Sequence, residues 1–187
     1  MSLELLKKSL MDAPIVKKGE YHYVVHPIMD GIPEIKPELL EEVVSEMHKR
    51  IERVRPIDKI VTMEAMGIPL ATALSQKMNI PFVIIRKRTY GLQGEVAVDQ
   101  KTGYSKSKLY INDLKHDDKI VIVDDVLSTG GTLKAVLSAL KTIGVDVKGV
   151  FIAVNKGTAA DSLINDFNVN LDIIVSIEII NGNVLIK

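Results

Sequence analysis

Apolar side chains recur along this chain with two different periods, and each change of period marks a change of element. Between residues 38 and 53, Leu39, Leu40, Val43, Val44, Met47 and Ile51 fall at helical spacing. Pro37 stands where a first-turn proline belongs and Pro56 lies just past the end, so a helix is predicted over 38–53. A shorter amphipathic helix is expected over 3–11, followed by a stretch from 13 to 37 punctuated by proline and glycine. Beyond residue 59, short apolar runs at 60–63, 82–85, 120–123, 149–154 and 171–177 read as strands. Between them, 69–78, 132–143 and 159–167 read as helices. In 132–143, Leu133, Val136, Leu137 and Leu140 share a face and Gly144 supplies the C-cap. Residues 109–111 suggest a short strand, and Asn181-Gly182 a hairpin turn. The polar, glycine-containing stretch 91–107 shows no period.

Strand–helix alternation implies right-handed crossovers and a central, mostly parallel sheet flanked by helices, an α/β fold. The 187 residues suit one domain, with an N-terminal helical segment, 1–58, packed on an α/β core, 59–187. In such sheets ligands bind at the carboxyl ends of the strands. Chemistry is therefore expected after Met63, Ile85, Val123 and Val154.

Composition narrows the classes. The 24 basic residues balance 24 acidic ones, which argues against a nucleic-acid coat or a polybasic membrane binder. There is no cysteine, hence no disulfide framework, thiolate zinc site or cysteine nucleophile. The N-terminus has no apolar signal core, and no apolar run is long enough to span a bilayer, so a cytoplasmic protein is expected. His22, His26, His48 and His116 show no metal-ligand spacing; His48 reads as solvated, and His26 and Tyr23 as packing residues.

The most informative stretch runs from Ile120 to Thr132. Asp124 and Asp125 end a continuous β-branched strand, the kind buried on both faces. A turn containing Ser128, Thr129, Gly130 and Gly131 follows, and a helix opens at Thr132. Glycines let backbone approach an anion, and free N–H groups at a helix start suit a phosphate. The hydroxyls of Ser128, Thr129 and Thr132 add donors. Asp124 and Asp125 can accept from a pair of ribose hydroxyls, with Mg²⁺ as a further candidate partner. A phosphorylated sugar site is the reading. A helix-capping turn would explain one aspartate and one threonine, not two acids, two glycines and three hydroxyls within nine residues. A Walker loop is excluded because no Gly-Lys-Ser/Thr follows.

This string resembles the signature of the type I phosphoribosyltransferases. The likeness extends to Ile85-Arg86-Lys87-Arg88, similar to the adenine-type branch, and to Glu64-Ala65-Met66-Gly67-Ile68-Pro69, where the family has its pyrophosphate loop. The stretch from Ala13-Pro14-Ile15-Val16 to Ile32-Pro33 most resembles the archaeal-type hypoxanthine/guanine branch. The resemblance implies a 5-phosphoribosyl-1-pyrophosphate (PRPP) site made of Ser128, Thr129, Gly130, Gly131 and Thr132, with Arg86, Lys87, Ala65, Met66 and Gly67 on the pyrophosphate. It implies Asp124 and Asp125 at the ribose, Mg²⁺ carried by PRPP and held in part by those two acids, and a 6-oxopurine as acceptor. Asn155, Lys156 and Val126 are the base-site candidates, under an N-terminal hood. A homodimer or larger homo-oligomer is implied, with no nucleic acid and no membrane as partner.

The same likeness casts 90–107 as a lid over the sugar, with Glu95 a candidate acid in it. Three departures stand out. Gly103 or Tyr104 occupies the place of the adenine-type lid glutamate, and Met66 that of an arginine. Ser128 stands where vertebrate-type enzymes carry a general-base aspartate. Adenine, xanthine or orotate specificity remains open, as does a non-catalytic PRPP sensor that regulates transcription. For the sensor, no helix-turn-helix punctuation is evident.

Overall fold

In the computed structural model, which describes residues 3–19, 21–102 and 105–187, the chain begins with α1 (Glu4–Met11). A hairpin of β1 (Ile15–Lys18) and β2 (Tyr21–Val24), the single-turn α2 (Pro27–Asp30) and α3 (Pro37–Ile51) follow. The α/β part comprises β3 (Lys59–Met63), α4 (Gly67–Met78), β4 (Phe82–Ile85), a hairpin of β5 (Val96–Thr102) and β6 (Ser105–Ile111), and β7 (Lys119–Leu127). It continues with α5 (Gly131–Ile143), β8 (Asp146–Asn155), α6 (Ala160–Phe167), β9 (Leu171–Ile180) and β10 (Asn183–Ile186).

Six strands form the central sheet in the order β10-β9-β8-β7-β3-β4. All neighbours are parallel except β10, which returns antiparallel to β9 through the Asn181-Gly182 turn. Both turn residues have positive φ, 52° and 76°, as a tight hairpin of matching twist requires. The alternation in β7 explains why it is central. Val121 and Val123 pack with α1, α3 and α4 on one face, while Ile120 and Ile122 pack with α5 and the β5–β6 hairpin on the other. All four are fully buried.

The N-terminal elements lie on the first of these faces. Leu6 and Leu10 of α1 and Val43, Met47 and Ile51 of α3 are completely buried there. The first N–H groups of α1 are capped across the interface, as Leu5 and Leu6 donate to the Glu42 carboxylate at 3.2 and 2.8 Å. Arg50 of α3 donates to Asp172 at 2.5 Å and to the Ile173 carbonyl at 2.9 Å, which ties the helix to β9.

Three expectations need correction. Asp124 and Asp125 do not follow the central strand but lie within it, since pairing with β8 continues to Leu127↔Asn155. Residues 13–37 contain a hairpin, β1 with β2, in which Tyr23 is 44% exposed and so is not a core residue. The stretch read as aperiodic, 91–107, is largely an antiparallel hairpin paired from Val96↔Ile111 to Thr102↔Ser105. Its inward alternation was present at Val98, Leu109 and Ile111, all buried against Leu133 and Val136 of α5, but only near the base of the hairpin. Among the described residues no helix is long and apolar enough to cross a membrane.

Candidate active site

The carboxyl ends of β3 and β7 flank a cavity of about 260 Å³. Glu64, Ala65 and Lys87 line it from one side, and an unbroken run from Asp124 to Leu133 from the other. Two helices start at its wall. Neither α4 nor α5 has a side-chain cap, and Gly130, the residue before α5, sits at φ 73°. The opening N–H groups of α5 thus face the cavity with Ser128, Thr129 and Thr132 around them, an arrangement that suits an anion's oxygens.

The loop between β7 and α5 is held rigidly from behind. A Cβ on Gly157 would overlap the Ser128 carbonyl oxygen and stand 2.7 Å from its carbon. A Cβ on Gly130 would stand 2.8 Å from Ala159. The turn after β8 and the start of α6 therefore press on this loop as closely as backbone allows. Asn155 builds that turn: its Oδ1 accepts from Gly157 N–H at 3.2 Å and its Nδ2 reaches Ser176 at 3.4 Å.

Asp125 is buried, and Asp124 has its Oδ1 pressed toward Gly67, where a Cβ would stand 2.6 Å away. Burial, and then the neighbouring Asp125 charge, push the Asp124 carboxyl well above the ordinary carboxylate range. Burial also raises Asp125, to about 6; Asp30 adds to the rise and Lys156 opposes it. Two sheltered carboxyls side by side do not both carry charge cheaply, and Asp124 is the one whose acid form is favoured. Hydroxyl donors or a cation would relieve that conflict. Among the described residues no three acids or histidines cluster into a metal cage. Two adjacent carboxylates suit a Mg²⁺ ion that brings phosphate and water ligands of its own.

The basic residues after β4 separate. Lys87 lines the cavity. Arg86 instead donates through Nε to Glu64 at 2.8 Å, while the Lys87 N–H reaches the same oxygen at 3.2 Å. Those contacts hold Glu64 below its usual range, the backbone bond first and the guanidinium second. Arg88 stacks on Tyr90, 5.0 Å from the ring centre. Ala65 lines the cavity, whereas the Met66 side chain turns toward Gly31, whose Cβ would lie 3.4 Å from Cε. The Glu64–Ala65 peptide is cis.

On the opposite side, Val126 lines the cavity wall and Lys156 is exposed near Asp125. The segment ending in Asp30 comes over this region: α2 packs on β7, and Gly31 meets Met66. His26 is a structural residue here, as expected. It is fully buried, its Nδ1 accepts from Ile28 N–H at 3.2 Å, and its Nε2 meets Ser9 Oγ at 2.9 Å. Burial lowers its pKa to about 4. His48 is not simply solvated but lies 3.4 Å from Glu52.

Glu95 is not placed as an acid. Its carboxylate accepts from Thr89 Oγ1, from Asn112 Nδ2 at 3.0 Å and from Tyr90 N–H at 2.9 Å. Those bonds, Thr89's first, pull its pKa down to about 2, so it is ionised at neutral pH and cannot donate a proton. Gly103 and Tyr104 lie outside the described residues. Sequence reasoning assigned no role to Glu64, Gly157 or Asp30. The signals were an acid opening the loop after β3, a glycine right after the strand-end lysine, and an Asp-Gly pair closing a short turn.

A parallel sheet with a carboxylate pair and an anion cradle at the end of its central strand defines a protein that handles phosphorylated sugars. The chain matches the model for the phosphoribosyl transferase domain over residues 34–182, and it belongs to that family, with the type I fold. It is 50% identical to the hypoxanthine/guanine phosphoribosyltransferase of Methanocaldococcus infernus, over 97% of this chain and 99% of that protein. It is 53% identical to that of Methanobacterium paludis, over 98% and 96%. Among solved structures, adenine phosphoribosyltransferase from Thermoanaerobacter pseudethanolicus superposes with a TM-score of 0.76 at 21% identity, covering 94% of this chain and 99% of that one. At that identity the likeness concerns the fold alone.

Proposed function

We propose that this chain is a purine-salvage enzyme that transfers the 5-phosphoribosyl group of PRPP to hypoxanthine or guanine, giving IMP or GMP and pyrophosphate. The observation that carries the chemistry is the carboxylate pair set beside an uncapped helix start in one cavity. The base follows from relatives of that activity, about half identical along nearly the whole chain.

The 5′-phosphate sits in the loop from Ser128 to Thr132, which fixes the reactive carbon relative to the acceptor. Asp124 and Asp125 accept from the ribose hydroxyls, and their charge eases the oxocarbenium character of the transition state. A purine ring nitrogen gives its lone pair to C1 while the C1–O bond breaks and its electrons leave with pyrophosphate. Lys87 and the backbone of Ala65, which line the cavity, receive that leaving group, with the Met66 and Gly67 backbone just behind them and Arg86 once it leaves Glu64. Asp124 and Asp125 would hold the Mg²⁺ that PRPP carries, and the ion would supply positive charge to offset that of the phosphates.

At the base, Lys156 is the stronger reader of a 6-oxo group, because Asn155 is committed to its own turn. Val126 supplies apolar wall, and residues 1–58 act as the hood. Ser128 leaves the loop without a general-base carboxylate, so the purine proton passes to another residue or to water. From the family resemblance, a homodimer or larger homo-oligomer is the working assembly.

The test is pyrophosphate release from PRPP and Mg²⁺ with hypoxanthine, guanine, adenine, xanthine and orotate in parallel. Turnover with the first two is expected. Turnover only with another base would move the specificity, and PRPP binding without turnover on any base would replace the enzyme with a sensor.

A further inference from the structure

Thr62, the fourth residue of β3, is completely buried, and its Oγ1 is the one buried side-chain polar atom among the described residues that has no hydrogen-bond partner. Such an orphan is rare, because a hydroxyl stripped of water without a new partner costs free energy with no return. Nothing in β3 requires it. The neighbouring Ile60, Val61 and Met63 are apolar, and valine has the same shape and a better record in strands. A hydroxyl kept here points to a partner that comes into reach only in another state of the site.

The geometry names that partner. Thr62 Oγ1 and Asp124 Oδ1 converge on the α-carbon of Gly67, so that a Cβ there would overlap the first and stand 2.6 Å from the second. The same point lies 3.1 Å from the Val123 carbonyl oxygen, immediately before Asp124. Only a residue without a side chain leaves the hydroxyl and the carboxylate facing each other across this gap. Asp124 also lines the cavity, so sugar hydroxyls can reach its carboxylate and draw it from the pose it holds in the free protein.

We propose that Thr62 is a positioning residue for the ribose. When Asp124 turns to hold a ribose hydroxyl, the Thr62 hydroxyl donates to the carboxylate oxygen left behind and locks that pose. The proposal rests on the ribose role given to Asp124 above. The orphan of the empty site is then the donor of the filled one, and stability of the free protein is exchanged for order in the complex.

The test compares Thr62→Ala with Thr62→Ser, which both lose the methyl group and differ only in the hydroxyl. The probes are ribose 5-phosphate and inorganic phosphate, titrated by calorimetry without metal, with thermal melting of the free proteins alongside. Loss of one hydrogen bond to a charged group weakens binding by about tenfold or more. Thr62→Ala should therefore lose about that much affinity for ribose 5-phosphate and keep its affinity for phosphate, while Thr62→Ser binds both like the wild type. Free Thr62→Ala should melt no lower than free Thr62→Ser, because it carries no orphan. Equal binding by the two variants, or equal loss for both ligands, would overturn the proposal. Asp124→Asn separates the two levels of the argument. If it binds ribose 5-phosphate as the wild type does, the ribose role itself fails; if it binds weakly while Thr62→Ala does not, only Thr62 is misassigned.

Discussion

Two segments border the cavity, and they are held in opposite ways. The loop from Ser128 to Thr132 is clamped by backbone: Gly157 touches the Ser128 carbonyl, Gly130 rests against α6, and a thirteen-residue helix opens directly from it. The β5–β6 hairpin joins the rest of the molecule through one backbone bridge, Tyr110 to Arg86, packs its base on α5, and has the loop at its root gathered by one carboxylate, Glu95. Gly91 and Gly94 beside that carboxylate have open space where a Cβ would go. A phosphate cradle works by being built before the ligand arrives, so rigidity belongs there. A segment bordering the same cavity can be held by few contacts that yield locally.

The largest expected effect comes from putting one methyl group into the clamp. Gly157→Ala has to push the Ser128 backbone out of the cradle, since its Cβ would overlap the carbonyl oxygen. We expect kcat/KM for PRPP to fall by roughly a hundredfold or more, as ångström misplacements of a binding frame do. Circular dichroism should still report a folded protein. Gly94→Ala is the matched change in the other segment, where a positive φ of 87° is strained but no atom is struck. It should cost about 1 kcal/mol of local stability and less than about threefold in kcat/KM. Similar kinetic losses for the two would erase the contrast.

A smaller effect is expected at the carboxylates that the clamp presents. Asp125→Asn keeps the shape but removes charge-assisted hydrogen bonds, each worth about 1.5–3 kcal/mol. Steady-state kinetics should show kcat/KM reduced by roughly ten- to a hundredfold with the melting temperature little changed. An unaltered kcat/KM would sink the role given to the residue.

The same contrast explains what the sequence made legible. The cradle could be read because its chemistry is contiguous: acids, hydroxyls and glycines stand in one string between a buried strand and a helix. The central sheet could be read because strands buried on both faces are uniformly apolar. The hairpin escaped because only its base, at Val98, Leu109 and Ile111, faces a core, and residues 99–108 are mostly polar. The two acids were set past the strand end because an apolar run stops at Val123 although the backbone pairing does not. Glu64 and Gly157 act through partners 22 and 29 residues away, on Arg86 and Ser128, and Thr62 is brought up to Asp124 from 62 residues away; no local pattern encodes such distances.

The smallest and most local effect should appear at the hairpin root, as a pH dependence. The Glu95 pKa is pulled from the ordinary 4.5 to about 2 by bonds that only the closed root supplies. A group depressed in this way contributes its stability fully above the ordinary value and loses it as pH falls toward the folded one. The fastening should therefore be complete at pH 5 and above, weaken between about 4.5 and 2, and be gone below. Hydrogen exchange at the Tyr90 and Gly91 amides, which donate to Glu95, reads it directly. At neutral pH, Glu95→Gln should exchange faster than the wild type at these two amides while the amides of β7 are unaffected. The gap between the two proteins should close as pH falls through that window. A gap that stays constant down to pH 2, or none at pH 7, would mean that the root is held by something other than this carboxylate, and the two segments would then differ less than their contacts suggest.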